Sequence, residues 1–223
     1  NLTKVMTAPH SDSTLESLAS SLVDSDPNRL GAEDIARPAA IGARAGAAAV
    51  LDVAQVAASG ESFGRAFRWL LAEARRMPDL DEIVTGLCHQ LSEGGLPLQR
   101  LYLAQRTLHP QIGALGYLWN RGDAAARLIT REHAVVASPA FLNSPMRRLY
   151  EFGETQVRRR LVGPAAVVDF PVLEELRDNG ATDYAIFAME LAGEPRGSLS
   201  VTTDLPEGFS DREIAGLAGL MPL

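Results

Sequence analysis

At Gly94 and Gly95 the spacing of apolar residues changes period, and that change limits the folds open to this chain. Before it, Phe63, Phe67, Leu70, Leu71 and Ala74 form one apolar stripe, ended by Pro78. Leu80, Ile83, Val84, Leu87, Cys88 and Leu91 form a second. Residues three and four apart share one helix face, so both stretches are expected as helices resting on something apolar. Asp79, with Glu82 three residues on, has the pattern of a capping box at the start of the second helix. Beyond the glycines, residues 100–108 and 112–119 are short apolar runs separated by His109-Pro110-Gln111. They are expected as neighbouring antiparallel strands.

The remaining segments extend the same layout. Residues 122–154 read as a long irregular crossing, because Ser138-Pro139 and Ser144-Pro145 discourage a continuous helix. Residues 155–161 read as a strand. Asp169 is placed to cap a short helix through Leu176, closed by Asn179-Gly180. Residues 183–191 are apolar on both faces, as in a central strand. After a turn at 193–197, Leu199 and Val201 alternate with Ser198, Ser200 and Thr202. Ser210 and Glu213 form a second capping box, opening a helix with Ile214, Leu217, Ala218 and Met221 on its apolar side. The expected fold is therefore α+β, one antiparallel sheet flanked by helices.

Residues 1–60 differ in character. They are rich in Ser, Asp, Ala and Gly, and no aromatic side chain occurs before Phe63. Leu15, Leu18 and Leu22 suggest a short helix over 13–24, and 39–58 suggests another built of small residues. We divide the chain into a partly helical N-terminal extension, 1–60, and a main domain, 61–223. Small residues bury little area, so the extension's helices need a partner surface, on the main domain or a second subunit.

Composition narrows the function. A net charge of −7 and a pI near 5.1 argue against nucleic acid, whose phosphates would be repelled. The one cysteine, Cys88, permits no internal disulfide and suits a reducing cytoplasm. The most apolar window, 39–58, carries Arg44 and Asp52 and is too alanine-rich to span a membrane. No signal peptide is visible at the start.

Candidate chemistry is sparse. His10, His89, His109 and His133 lack metal-ligand spacing, and no zinc signature, nucleophile elbow or phosphate-binding glycine loop occurs. An enzyme reading has no positive support, and no metal or cofactor is assigned. Cys88 sits at the edge of an apolar helix face and reads as a small core hydrophobe. Glu174 and Glu175 read as a solvated helix face. On a strand over 155–161, Arg158 and Arg160 share one face and Arg159 the other. Two guanidinium forks about 7 Å apart can hold a carboxylate or phosphate of a small ligand. The alternative is that they pair with Glu151, Glu154 or Asp169. Tyr117, Trp119, Phe141, Tyr184 and Phe187 are candidates to line a small-molecule pocket on one sheet face, or to pack as core.

Five short phrases carry a resemblance. They are Arg106-Thr107-Leu108-His109-Pro110, Phe141-Leu142-Asn143-Ser144-Pro145, Arg158-Arg159-Arg160-Leu161, the run from Asp169 to Leu176, and Gly180-Ala181-Thr182-Asp183-Tyr184. In order and spacing the chain from about 67 to 223 resembles the GAF-like regulatory domain that precedes the catalytic module of bacterial class III adenylate/guanylate cyclases. The resemblance implies a cytoplasmic, homodimeric sensory domain. It would control cyclic AMP synthesis by a downstream C-terminal module, which would begin about where this chain stops. Together the residue readings give His109, Arg158, Arg160, Trp119 and Tyr184 as candidate ligand-binding residues for an unidentified small molecule. Two alternatives stand beside it, a ligand-free dimerisation domain and a haem- or metal-bound sensor using His109 or His133.

Overall fold

The computed structural model describes residues 60–107, 113–191 and 194–221. The chain divides into two units, Asn1–Arg44 and Ala45–Leu223. The first unit and the expected helices at 13–24 and 39–58 lie outside the described residues, as does His109.

Helix α1 (Glu61–Ala72) continues into a 3-10 turn (Ala74–Arg76), and α2 (Leu80–Glu93) follows. Phe63, Ala66, Phe67 and Ala74 point inward as the stripe requires, but Leu71 is largely exposed. Asp79 stands at the N-cap of α2 without forming a side-chain cap bond, so the expected capping box there is absent. Gly94 and Gly95 end the helix, Gly95 with a φ of 93° that only glycine adopts at little cost.

Strands β1 (Arg100–Arg106) and β2 (Ala114–Asn120) pair antiparallel, as expected. The crossing that follows is more ordered than the sequence suggests. It holds a strand, β3 (Arg127–Arg131), a 3-10 segment (His133–Ala137) and two short helices, α3 (Pro139–Leu142) and α4 (Pro145–Tyr150). Each proline that reads as a breaker is instead a first helical residue, where its missing N–H costs nothing. Ser138 caps α3 by accepting from the Phe141 N–H at 3.2 Å.

The chain then forms β4 (Gln156–Arg160), α5 (Pro171–Asp178), β5 (Asp183–Leu191), β6 (Glu194–Thr203) and α6 (Asp211–Gly219). Asp169 does not cap α5, whose N-cap is Phe170. The capping box at α6 is complete: Ser210 Oγ accepts from the Glu213 N–H at 3.2 Å, and Glu213 accepts from the Ser210 N–H at 2.7 Å.

The six strands make one antiparallel sheet in the order β3-β2-β1-β6-β5-β4. This is the expected α+β architecture. Each side of the sheet has its own core. On the first face, Leu101, Leu103, Tyr117, Trp119, Phe187 and Leu199 pack under α1, α2 and α6. On the second, Val157, Tyr184 and Ile186 pack against Leu149 of α4 and Leu173 and Leu176 of α5. Ala185 and Phe187 alternate with Tyr184 and Ile186 along β5, so that strand is buried on both sides. Burying a Phe or Leu side chain contributes about 1.5–3 kcal/mol, so β5 anchors both cores.

Candidate functional site

Strand β6 carries Ser198, Ser200 and Thr202 on the second face. Register places Thr202 between Arg100 and Tyr184, Ser200 between Tyr102 and Ile186, and Ser198 between Ala104 and Ala188. Ser198 and Thr202 are buried, so this polar strip is a floor within the fold. The Tyr184 hydroxyl is hydrogen-bonded to Ser200, and complete burial pushes its phenol well above the ordinary range. Tyr150 of α4 donates to Ser198 at 3.5 Å, and Ser200 donates to the Tyr102 carbonyl at 3.5 Å. Burial also raises Tyr102 and Tyr150. The Arg106 guanidinium lies 5.8 Å from the Tyr150 ring centroid.

Arg100 stands at the end of this strip. Desolvation lowers its pKa, and Glu175 pulls the other way. Among the described residues no carboxylate lies within ion-pair distance of it. Desolvated cations are costly unless compensated. Hydroxyls that both donate and accept, beside a guanidinium, are suited to holding a polar or anionic group. Neither serine shows a hydrogen bond to a histidine or carboxylate among the described residues. The arrangement therefore has the parts of a binding surface and lacks an activated nucleophile.

The three consecutive arginines of β4 occupy a different position. Arg158 and Arg160 do share one face, and both turn toward Asp183, whose carboxylate is fully buried. Asp183 accepts from Arg158 at 2.8 Å, from Arg160 at 3.4 Å and from the Phe209 backbone N–H at 3.1 Å. Arg158 also reaches Asp211 at 3.0 Å and the Phe209 carbonyl. Arg160 donates to the Pro206 carbonyl at 2.7 Å and to that of Glu207. Gly208 sits against this cluster with a φ of 72°, where a methyl would overlap the Arg160 guanidinium. On the opposite face Arg159 pairs with Asp169 at 2.8 Å and holds that carboxyl below its usual range. Neither Arg158 nor Arg160 pairs with Glu151, Glu154 or Asp169 as the alternative expected; those carboxylates are held by Arg147, Arg148 and Arg159, and the two arginines go to Asp183 instead. A shallow, open depression of about 440 Å³ lies beside Arg158, Arg159, Arg160, Ala165 and Val167.

The five aromatic residues do not share a face. Tyr117, Trp119 and Phe187 belong to the first-face core, and Tyr184 lies on the second. Phe141 is on α3, its ring 6.3 Å from that of Tyr150. Alternation along a strand separates Tyr184 from Phe187 by an odd number of residues, which sends them to opposite sides. Trp119 packs edge-on to His89 at 6.3 Å, and its buried indole N–H has no partner among the described residues. His133 is exposed. Cys88 is buried, and desolvation raises its thiol far beyond reactive values.

Sequence reasoning missed Arg100, Tyr102, Tyr150, Ser198 and Ser200. The alternation of Ser198, Ser200 and Thr202 was the available signal. Only the pairing of β1 with β6 sets Arg100 and Tyr102 beside those hydroxyls.

Among the described residues no group of three His, Cys, Asp or Glu side chains is arranged to hold a metal, and no helix is long and apolar enough to cross a membrane. No family model matches the chain, and no curated protein matches it. Among solved structures it is similar to the phycocyanobilin-bound GAF domain from a cyanobacterial phytochrome. That match has 15% identity over 71% of this chain and 89% of that one, with a TM-score of 0.49. It is also similar to the GAF domain of a two-component sensor histidine kinase from Bacillus halodurans, at 13% identity over 56% and 77% of the two chains and a TM-score of 0.37. A GAF domain from A. aeolicus in an inactive state gives 10%, 77%, 94% and 0.43. No residue role passes across likenesses of this size.

Proposed function

We propose that the described body is a sensory, regulatory domain. In this reading a small molecule occupies the second sheet face, and its presence is passed to the helices on the first. The parent protein is a class III adenylate/guanylate cyclase, the domain works as a homodimer in the cytoplasm, and cyclic AMP synthesis by a downstream module is what it controls. The cyclase assignment rests on the resemblance of the five phrases.

The observation that carries the sensory reading is the two-sidedness of strands β1, β5 and β6. One side bears a buried polar strip with a desolvated arginine, and the other supports α1, α2 and α6. Helices α1 and α6 meet directly, because a methyl on Gly216 would overlap the Phe63 ring. A change in how the strip is filled therefore acts on strands that both terminal helices rest upon. A ligand shifts such an arrangement only if it binds two states with different affinity. The ligand seat proposed is Arg100, Tyr102, Tyr150, Tyr184, Ser198 and Ser200. Arg158 and Arg160, engaged by Asp183, are assigned to holding the start of α6.

Native mass spectrometry of protein purified from cells tests the reading. Extra mass that leaves on denaturation, and is lost in Ser200→Val, is the expected result. A clean dimer without added mass would favour the ligand-free dimerisation reading. A visible absorbance spectrum separates the haem reading. In the parent enzyme, removal of residues 60–210 with dimer geometry and activity unchanged would sink the regulatory role.

A further inference from the structure

The second face extends beyond the polar strip onto β2 and β3, and there it collects arginines. Register puts Arg106 of β1, Ala114 of β2 and Arg131 of β3 in one row across the sheet. A second row holds Tyr102, Leu118 and Arg127, and Arg100 stands one step further along β1. Between these rows lie Ala104, Gly116 and Ile129. Tyr102 lies across Gly116, where any side chain would overlap its hydroxyl.

This concentration of charge is unusual for the molecule. The chain carries a net −7, and among the described residues none of Arg100, Arg106, Arg127 and Arg131 has a carboxylate within ion-pair distance. The groups also feel one another: Arg127 acts on Arg100, and Arg131 and Arg100 both act on Tyr102. Like charges gathered without partners are unfavourable unless something negative visits them.

The geometry also sets a length. Arg127 and Arg131 are four residues apart on β3, which is about 13 Å along a strand. One pair of guanidinium groups, Arg106 and Arg131, bounds one end of the patch, and Arg100 and Arg127 bound the other. The floor between them is Tyr102, Leu118 and Ile129, aromatic and aliphatic. We propose that the sensed molecule is an elongated organic dianion, with a carboxylate or phosphate at each end of an apolar or aromatic body. Its acidic groups would bind Arg106 and Arg131 at one end and Arg100 and Arg127 at the other, and its body would lie over Tyr102. This inference rests on the sensory reading above and supplies its ligand class.

The test uses three probes built on one biphenyl body: biphenyl-4,4′-dicarboxylate, biphenyl-4-carboxylate and neutral 4,4′-bis(hydroxymethyl)biphenyl. Calorimetric titration of the full chain is expected to show the diacid at least tenfold tighter than the monoacid, and the monoacid tighter than the neutral compound. Arg127→Gln and Arg131→Gln, both on an exposed edge strand, should each weaken the diacid about tenfold. Arg75→Gln, an exposed arginine elsewhere, should leave it unchanged. Equal affinity for all three probes, or no effect of the β3 substitutions, overturns the dianion class and leaves the second-face seat standing. Absence of binding by every probe at millimolar concentration removes the class, and only an empty native mass spectrum would then remove the sensory reading as well.

Discussion

Asp183 shows what a single residue can fix in this fold. Its fully buried carboxylate receives two guanidinium groups and a backbone N–H, most of them on Oδ2. Removing one member of a buried ion pair costs about 3–5 kcal/mol, because the other charge is left uncompensated. Asp183→Asn keeps the shape and removes the charge. We expect a loss of about 3 kcal/mol in urea unfolding; a loss below about 1 kcal/mol would mean that water already compensates the arginines. The Arg159–Asp169 pair is a weaker case. Asp169 is partly exposed, and its folded pKa is depressed by Arg159. A depressed carboxyl contributes stability above the unfolded pKa and loses it as pH falls through the folded value. Asp169→Asn should therefore cost under about 1 kcal/mol at pH 7, and the difference from wild type should vanish in acid below the carboxylate range. A difference that stays constant from pH 7 to pH 3 would contradict this. Tyr184 and Ser200 are the third case. Ser200→Ala leaves a buried phenol without its partner and should cost about 1–3 kcal/mol, whereas adding Tyr184→Phe should recover much of it. Additive losses in that double-mutant cycle would show that the two hydroxyls are not coupled.

At the scale of elements, what could be read from the sequence followed from periodicity. The stripe of α1, the alternation of β6 and the two-sided run of β5 are visible because burial imposes a period on apolar residues. Strand β3 was not, because Arg-Leu-Ile-Thr-Arg lies at an edge and is exposed over most of its length. An edge strand held by one neighbour needs no apolar alternation. Helices α3 and α4 were hidden by their own first residues, since a proline at N1 looks like a proline that breaks. The candidate site was hidden for another reason. Arg100 and Tyr102 lie about a hundred residues from Ser198 and Ser200, and only strand order joins them. Gly216 belongs to the same class of contact. Alanine is the better helix former by about 1 kcal/mol, which predicts a stabilising Gly216→Ala at an open position. Here the methyl meets the Phe63 ring, and overpacking costs about 1–3 kcal/mol. We expect Gly216→Ala to destabilise and Phe63→Leu to relieve part of that loss. Stabilisation by Gly216→Ala alone would show that α1 and α6 are not in contact in solution.

At the scale of the molecule, burial is distributed unevenly, and this predicts where the structure opens. Strand β5 contributes residues to both cores, and β6 contributes Leu199 and Val201 to the first. Opening either strand exposes one or both cores, so their amides should exchange only through global unfolding. The crossing from β3 to α3 is different. Among the residues between 121 and 143 whose burial is described, the one buried core residue is Ala126, and its N–H is held by Thr85 Oγ1 at 2.8 Å. Few buried contacts mean a small free energy of local opening, so this segment should exchange orders of magnitude faster than β5. The same segment contains Arg127 and Arg131. A dianion seated on those arginines would bind the closed form of the crossing in preference to the open one. Its protection should then rise by RT ln(1 + [L]/Kd), about 2.7 kcal/mol at a hundredfold excess over Kd, while β5, already at the global limit, should rise only as far as global stability does. Hydrogen exchange with and without biphenyl-4,4′-dicarboxylate measures both. Equal protection of 121–143 and 183–203 in the free protein would contradict the burial argument, and unchanged exchange of the crossing on binding would detach the ligand from β3.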